Sequence, residues 1–184
     1  MIEFCNWFSN LVFKRSLNEF VIDLQNDASV SYLLSDRFYL EIIVVNNEQY
    51  AKASSNVWSF IFSFPTNIKA YAAIGFSKNG NMVGSTAIVG WMPSSGAGGM
   101  KMYSLDGKST IEVIPDKGEL YIMNASIVAA GNSLVYMIFQ LKTTQPSTKL
   151  LFAIGPNGVF PNYPDYALSK HSSHISLVID YSKG

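Results

Sequence analysis

The sequence predicts an all-β fold: a two-sheet antiparallel β-sandwich, immunoglobulin-like, of about ten strands. Three observations predict it. Apolar residues recur at strand spacing, and helical periodicity is nearly absent. Clusters of Gly, Asn, Asp and Ser punctuate the apolar runs as turn signals. The composition, 48% apolar and 14% charged, supplies the core that two packed sheets require.

Residues 1–18 read as a short helix or an irregular lead-in. Strands are then expected over 19–24, 38–45, 57–64, 70–76, 85–91, 100–104, 110–114, 119–128, 133–142, 148–154 and 174–181. The plainest is 57–64, where Trp58, Phe60, Phe62 and Phe64 share one parity and Ser59 and Ser63 the other, as in a strand with one face in a core. Turn residues separate the runs at Lys78-Asn79-Gly80, Ser94 to Gly99, Asp106-Gly107, Asp116-Lys117-Gly118, Gly131-Asn132 and Pro156-Asn157-Gly158. The stretch 155–170 carries Pro156, Pro161 and Pro164 and reads as a long ordered loop, the kind that often serves function. No internal repeat or composition shift marks a second domain. One domain is expected, with 1–49 as lead-in and first strands and 50–181 as core.

Composition narrows the function. Thirteen basic and thirteen acidic residues balance to zero, with no basic stripe, which argues against nucleic acid as a partner. The longest apolar runs, such as 134–139, fall far short of the ~20 residues of a membrane-spanning helix. A single cysteine, Cys5, excludes an internal disulfide, a cysteine zinc site and the C-x-x-C-H attachment of a c-type haem. Glu3, Asn6 and Asn10 make residues 1–15 a poor signal peptide, which points to a cytosolic protein or to a chain without its natural N-terminus. Asn124-Ala125-Ser126 is an N-glycosylation sequon.

The usual catalytic signatures, namely the G-x-S-x-G elbow, the P-loop and H-E-x-x-H, do not occur. Only His171 and His174 are available as imidazoles, with Asp165 and Asp180 nearby. Two segments stand out. In 70–92 a strand, a tight Asn-Gly turn and a second strand place Met82 just past the turn, where polar residues are usual. Met82 either folds back as a cap over the sandwich end or presents its thioether to a metal. In 168–181, Ile175, Leu177 and Ile179 alternate with Ser176, Val178 and Asp180. His171 shares the parity of the apolar set, and His174 that of the more polar one. A histidine there is either a surface residue or a ligand.

The block Gly75-Phe76-Ser77-Lys78-Asn79-Gly80-Asn81-Met82-Val83-Gly84-Ser85, with Leu168-Ser169-Lys170-His171 and the lesser pieces Phe139-Gln140-Leu141 and Ile154 to Gly158, resembles the DOMON family. The similarity runs over roughly 50–181. It is nearest to plant secreted DOMON proteins and to DOMON domains fused to a transmembrane cytochrome b. The resemblance implies a β-sandwich holding one non-covalent haem b, with Met82 and His171 as axial ligands to the iron. It implies single-electron transfer from ascorbate or a similar small reductant to a membrane cytochrome or other acceptor, at the extracellular face of the plasma membrane or in the apoplast. Two readings from other classes stand beside it. A non-redox carbohydrate- or small-ligand-binding sandwich would use Trp58, Trp91, Tyr103, Tyr163 and Tyr166 as stacking platforms. A hydrolase would use one of the two histidines.

Overall fold

The computed structural model describes residues 28–35, 38–45, 56–130 and 134–181. They form eleven strands in two antiparallel sheets, and the fold-class expectation is borne out. One sheet joins β1 (Ala28–Ser35), β2 (Phe38–Val45), β3 (Asn56–Pro65), β9 (Leu134–Thr143) and β8 (Ile122–Ala130), in that order. The other joins β11 (Ser173–Val178), β10 (Lys149–Ile154), β4 (Tyr71–Ser77), β5 (Ser85–Trp91), β6 (Gly99–Leu105) and β7 (Val113–Pro115). β1 and β2 precede residue 50 yet extend the same sheet as β3.

The core lies between the sheets and follows from strand alternation. Trp58, Phe60, Phe62 and Phe64 of β3 and Val135, Met137, Phe139 and Leu141 of β9 point inward, and so do Ile74, Phe76, Ile88, Leu150 and Phe152 from the opposite sheet. Phe60 is central: its ring stacks on Phe139 at 5.1 Å and meets Phe76 edge-on at 5.2 Å. Phe60→Ala is therefore expected to cost ~3–5 kcal/mol through lost transfer energy and a residual cavity. Denaturant titration checks it, and a cost under ~1 kcal/mol would mean that the sheets close over the gap.

Several boundaries differ from the sequence expectation. The segment expected as a strand over 110–114 opens as a short 3-10 helix, Thr110–Glu112, and only Val113–Pro115 pair with β6. Local chemistry explains it. The Glu112 carboxylate accepts the Ser109 N–H at 3.1 Å and the Ser109 hydroxyl, and the Glu112 N–H donates to the Ser109 carbonyl. That loop-back competes with the sheet ladder. β1 was not expected at all. Its alternation, Ser29 and Ser31 against Val30 and Tyr32, breaks at Leu33-Leu34, where the register shifts, and it is defined by its pairing, Ala28 opposite Val44 through Ser35 opposite Phe38. The segment 19–24, the lead-in 1–18 and Cys5 lie outside the described residues. Asn124 is exposed on the edge strand β8, where its amide donates to Gln140 Oε1 at 2.8 Å.

Candidate functional site

A second apolar cluster covers the outer face of the six-stranded sheet. It comprises Tyr71 and Ala73 of β4, Ala87, Val89 and Trp91 of β5, Tyr103 and Leu105 of β6, Val113 of β7, and Leu168 from the loop before β11. Met82, Ala153, Phe160 and Tyr166 pack against it. At its centre the floor is made of small residues: Ala153 lies opposite Ala73, and Gly75 lies opposite both Leu151 and Ala87. The two segments singled out in the sequence thus meet on one face, Met82 entering from the β4–β5 connection and Leu168 from the loop that leads to His171.

Met82 is half-buried, and its turn is held from several sides. Gly80 and Gly84 adopt φ values of 93° and 83°, a region that side chains other than glycine rarely enter. Ser77 Oγ and Ser85 Oγ each donate to the Asn81 carbonyl at 2.7 Å, and Asn81 N–H donates to Asn79 Oδ1 at 2.8 Å. The Met82 carbonyl accepts Ser85 N–H, and Gly84 N–H reaches the Leu105 carbonyl of β6. The connection is wider than a tight Asn-Gly turn and spans 78–84.

The loop over 155–172 lies across the other end of the same face. Tyr71 Oη donates to the Ser169 carbonyl at 2.7 Å and Tyr103 Oη to the Tyr166 carbonyl at 2.8 Å. Burial pushes the Tyr71 hydroxyl up to about 12 and also raises that of Tyr103, so both remain protonated donors at any physiological pH. Tyr166 has a φ of 48°, costly for a non-glycine residue. It is held by its carbonyl, by Lys101 Nζ 4.3 Å over its ring and by Trp91, with Lys101 itself paired to Asp116. Gly155 N–H donates to the Tyr71 carbonyl at 2.9 Å, and a Cβ on Gly155 would lie 2.3 Å from the Tyr71 ring.

His171 is half-buried, His174 is exposed, and their rings lie tilted at 54° with centroids 4.7 Å apart. Burial first, then the neighbouring His174 and Lys170, hold the His171 imidazole below its ordinary value, which favours the neutral form that can bind a metal. The parity argument does not separate the two histidines. β11 begins at Ser173, after His171. Its odd residues Ile175 and Leu177 stand opposite Phe152 and Leu150 of the inter-sheet core, whereas His174 stands opposite Ala153, which packs against the outer cluster. The outer face, with the parity of the polar residues, is the one that Met82 approaches. His174 is on that side, and the His171 ring lies 4.7 Å from its ring.

Of the five aromatics considered as sugar platforms, Trp58, Trp91 and Tyr103 are buried, at 6%, 6% and 0% exposure, and Tyr163 is open at 82%. Of the residues that carry the hydrogen bonds to the two segments, Ser77 appeared in the sequence only as part of the DOMON-like block, without a role of its own, and nothing distinguishes Tyr71 there from an ordinary strand residue. Among the described residues no cluster of three His, Cys, Asp or Glu side chains suited to a metal occurs, and no helix is long and apolar enough to cross a membrane.

The fold is the β-sandwich also seen in solved cytochrome domains. It resembles the cytochrome b domain of pyranose dehydrogenase from Coprinopsis cinerea (TM-score 0.54, 14% identity, 76% of this chain and 74% of that one) and the cytochrome domain of Myriococcum thermophilum cellobiose dehydrogenase (TM-score 0.55, 12% identity, 84% and 83%). At these identities the likeness establishes fold. In sequence the chain is homologous to two Arabidopsis thaliana proteins, each a cytochrome b561 and DOMON domain-containing protein, and the DOMON resemblance is borne out. Identity is 48% over 138 residues for one and 31% over 136 for the other, covering 74% and 73% of this chain. The chain spans about a third of their length, 37% and 34%. No protein-family profile matches it.

Proposed function

We propose that the domain is an electron-transfer module that binds one haem b non-covalently, with Met82 and His171 as axial ligands. The observation that carries the reading is that one outer apolar face of the six-stranded sheet receives Met82 from the β4–β5 connection and Leu168 from the loop that leads to His171, whose half-buried imidazole is shifted toward its neutral form. The donor set fits: a thioether and an imidazole are the side chains of a cytochrome-type iron site. The names of the relatives and of the structural neighbours support it independently.

When bound, haem b would supply a one-electron couple, and with Met82 and His171 both holding the iron no site on it would be left for oxygen. The chain's own residues would do the rest. Met82 offers a soft ligand that favours reduced iron. His171 offers a neutral nitrogen from a loop anchored to the sheet. Ala73, Ala87 and Ala153 project only methyl groups from that face, and the Leu, Val and aromatic side chains around them would keep water away. Electrons would pass from ascorbate or a similar small reductant to a transmembrane cytochrome b, at the extracellular face of the plasma membrane. The relatives carry a cytochrome b561 part in their names, which supports such an acceptor.

The test is reconstitution with haem b. About one equivalent per chain is expected, with a low-spin six-coordinate spectrum, full extraction into acidic organic solvent, reduction by ascorbate and slow carbon monoxide capture by the ferrous form. A folded protein that takes up no haem, or a high-spin complex that captures carbon monoxide rapidly, would overturn the assignment.

A further inference from the structure

Both segments that bear the candidate ligands are fastened to the six-stranded sheet in the same way. A buried strand hydroxyl donates to a backbone carbonyl one or two residues before the ligand. On one side, Ser77 and Ser85, at 0% and 3% exposure, converge on the Asn81 carbonyl next to Met82. On the other, Tyr71, at 4% exposure, reaches the Ser169 carbonyl two residues before His171. On the far side of His171, Ser172 N–H donates to the Ile154 carbonyl at 2.8 Å and Ser172 Oγ to the Gly155 carbonyl at 2.9 Å. The strands β4 and β5, which carry Tyr71, Ser77 and Ser85, are buried along their whole length and paired on both sides.

We infer that Ser77, Ser85 and Tyr71 are positioning residues, which set the separation of Met82 from His171 and hold it before any haem arrives. The inference rests on the proposed ligation and adds to it the source of preorganisation. Ligands on loops are loose by default. Here two loops from opposite ends of one sheet must meet a single metal, and a hydroxyl anchored in a rigid strand fixes each loop at its critical carbonyl. The buried hydroxyls of Ser77, Ser85 and Tyr71 would be left unsatisfied if the loops moved away, at a cost in desolvation energy, which favours one seat for each loop. The arrangement parallels the outer partners of metal ligands in general, whose loss typically weakens binding ~10–100-fold.

The experiment compares Tyr71→Phe and the double variant Ser77→Ala/Ser85→Ala with Ser59→Ala, which removes a buried hydroxyl from the other sheet, where Ser59 accepts Gln140 Nε2 at 3.1 Å. Two readouts are taken: amide hydrogen exchange of the haem-free proteins over 79–84 and 166–172, and haem affinity with ferric spin state after reconstitution. Faster exchange is expected at 166–172 for Tyr71→Phe and at 79–84 for the serine variant, with haem affinity down ~10–100-fold and a growing high-spin fraction. Ser59→Ala is expected to change neither. If exchange and spin state in the site variants match those of Ser59→Ala while the wild type is low-spin, the positioning role fails and the ligation stands. A wild type that forms no low-spin complex overturns the ligation and the positioning role together. Should the double serine variant fail to fold, Tyr71→Phe, which loses a single oxygen, carries both readouts on the His171 side.

Discussion

His171→Ala is expected to weaken haem binding by more than ~100-fold, beyond the usual cost of losing an outer partner of a ligand, whereas His174→Ala leaves the low-spin spectrum intact. The two rings are neighbours at 4.7 Å, so proximity to the site does not choose between them. Three features favour His171. It follows Leu168 at the spacing of the DOMON resemblance, and Leu168 is buried in the outer cluster. Its backbone is fixed on both sides, through the Ser169 carbonyl and through Ser172. It is also more shielded than the exposed His174, and its proton affinity is lowered, by burial first. The sign of the pH dependence follows. Protons and iron compete for one lone pair, so haem affinity should hold down to pH values below the ordinary 6.5 and fall only as pH drops through the depressed value. Haem titrations of the two variants, followed at the Soret band, measure the difference directly. The reverse pattern would make His174 the ligand, reached from the strand, with His171 stacked on its outer side.

Much of this site was legible in the sequence because its segments have chemistry that ordinary turns lack. A methionine beside an Asn-Gly turn, between two glycines, is hard to explain by turn propensity alone. Gly80 and Gly84 prove to be needed for their positive φ. The strand 57–64 was equally plain, since four large apolar residues at period two admit little else, and all four are in the core. What the sequence hid depends on pairing across the fold. Tyr71 looks like any strand residue, and Ser77 has no role of its own, until β4 is placed beneath both loops. The apolar parity of β11 was visible, but not which sheet face it served: Ile175 and Leu177 stand opposite core residues of β10, and the outer cluster lies on the other face. A sandwich has two sheets with two faces each, and alternation alone cannot say which face meets the partner sheet and which meets a ligand. The 3-10 turn at Thr110–Glu112 was missed for a local reason, since the Ser109–Glu112 pair overrides a β-like composition.

Met82→Leu is expected to convert the low-spin complex into a five-coordinate or water-ligated high-spin one while leaving the haem-free protein almost as stable as before. The substitution separates the two roles open to this residue. Leucine has nearly the volume of methionine, so as packing against the outer cluster it should cost less than ~1.5 kcal/mol. The turn that carries residue 82 is held by backbone groups and by Ser77, Ser85 and Asn79, none of which is altered. The thioether sulfur alone is lost. If that sulfur binds iron, ferric spectra should turn high-spin, ferrous protein should capture carbon monoxide far faster, and the midpoint potential should fall, because a ligand that favours reduced iron has gone. Haem should still bind, through His171 and the apolar walls. Thermal melts of the haem-free variant provide the control, with a small shift expected. Unchanged spectra beside a small shift in the melt would reduce Met82 to packing against the outer cluster, and the sixth ligand would then have to come from another side chain.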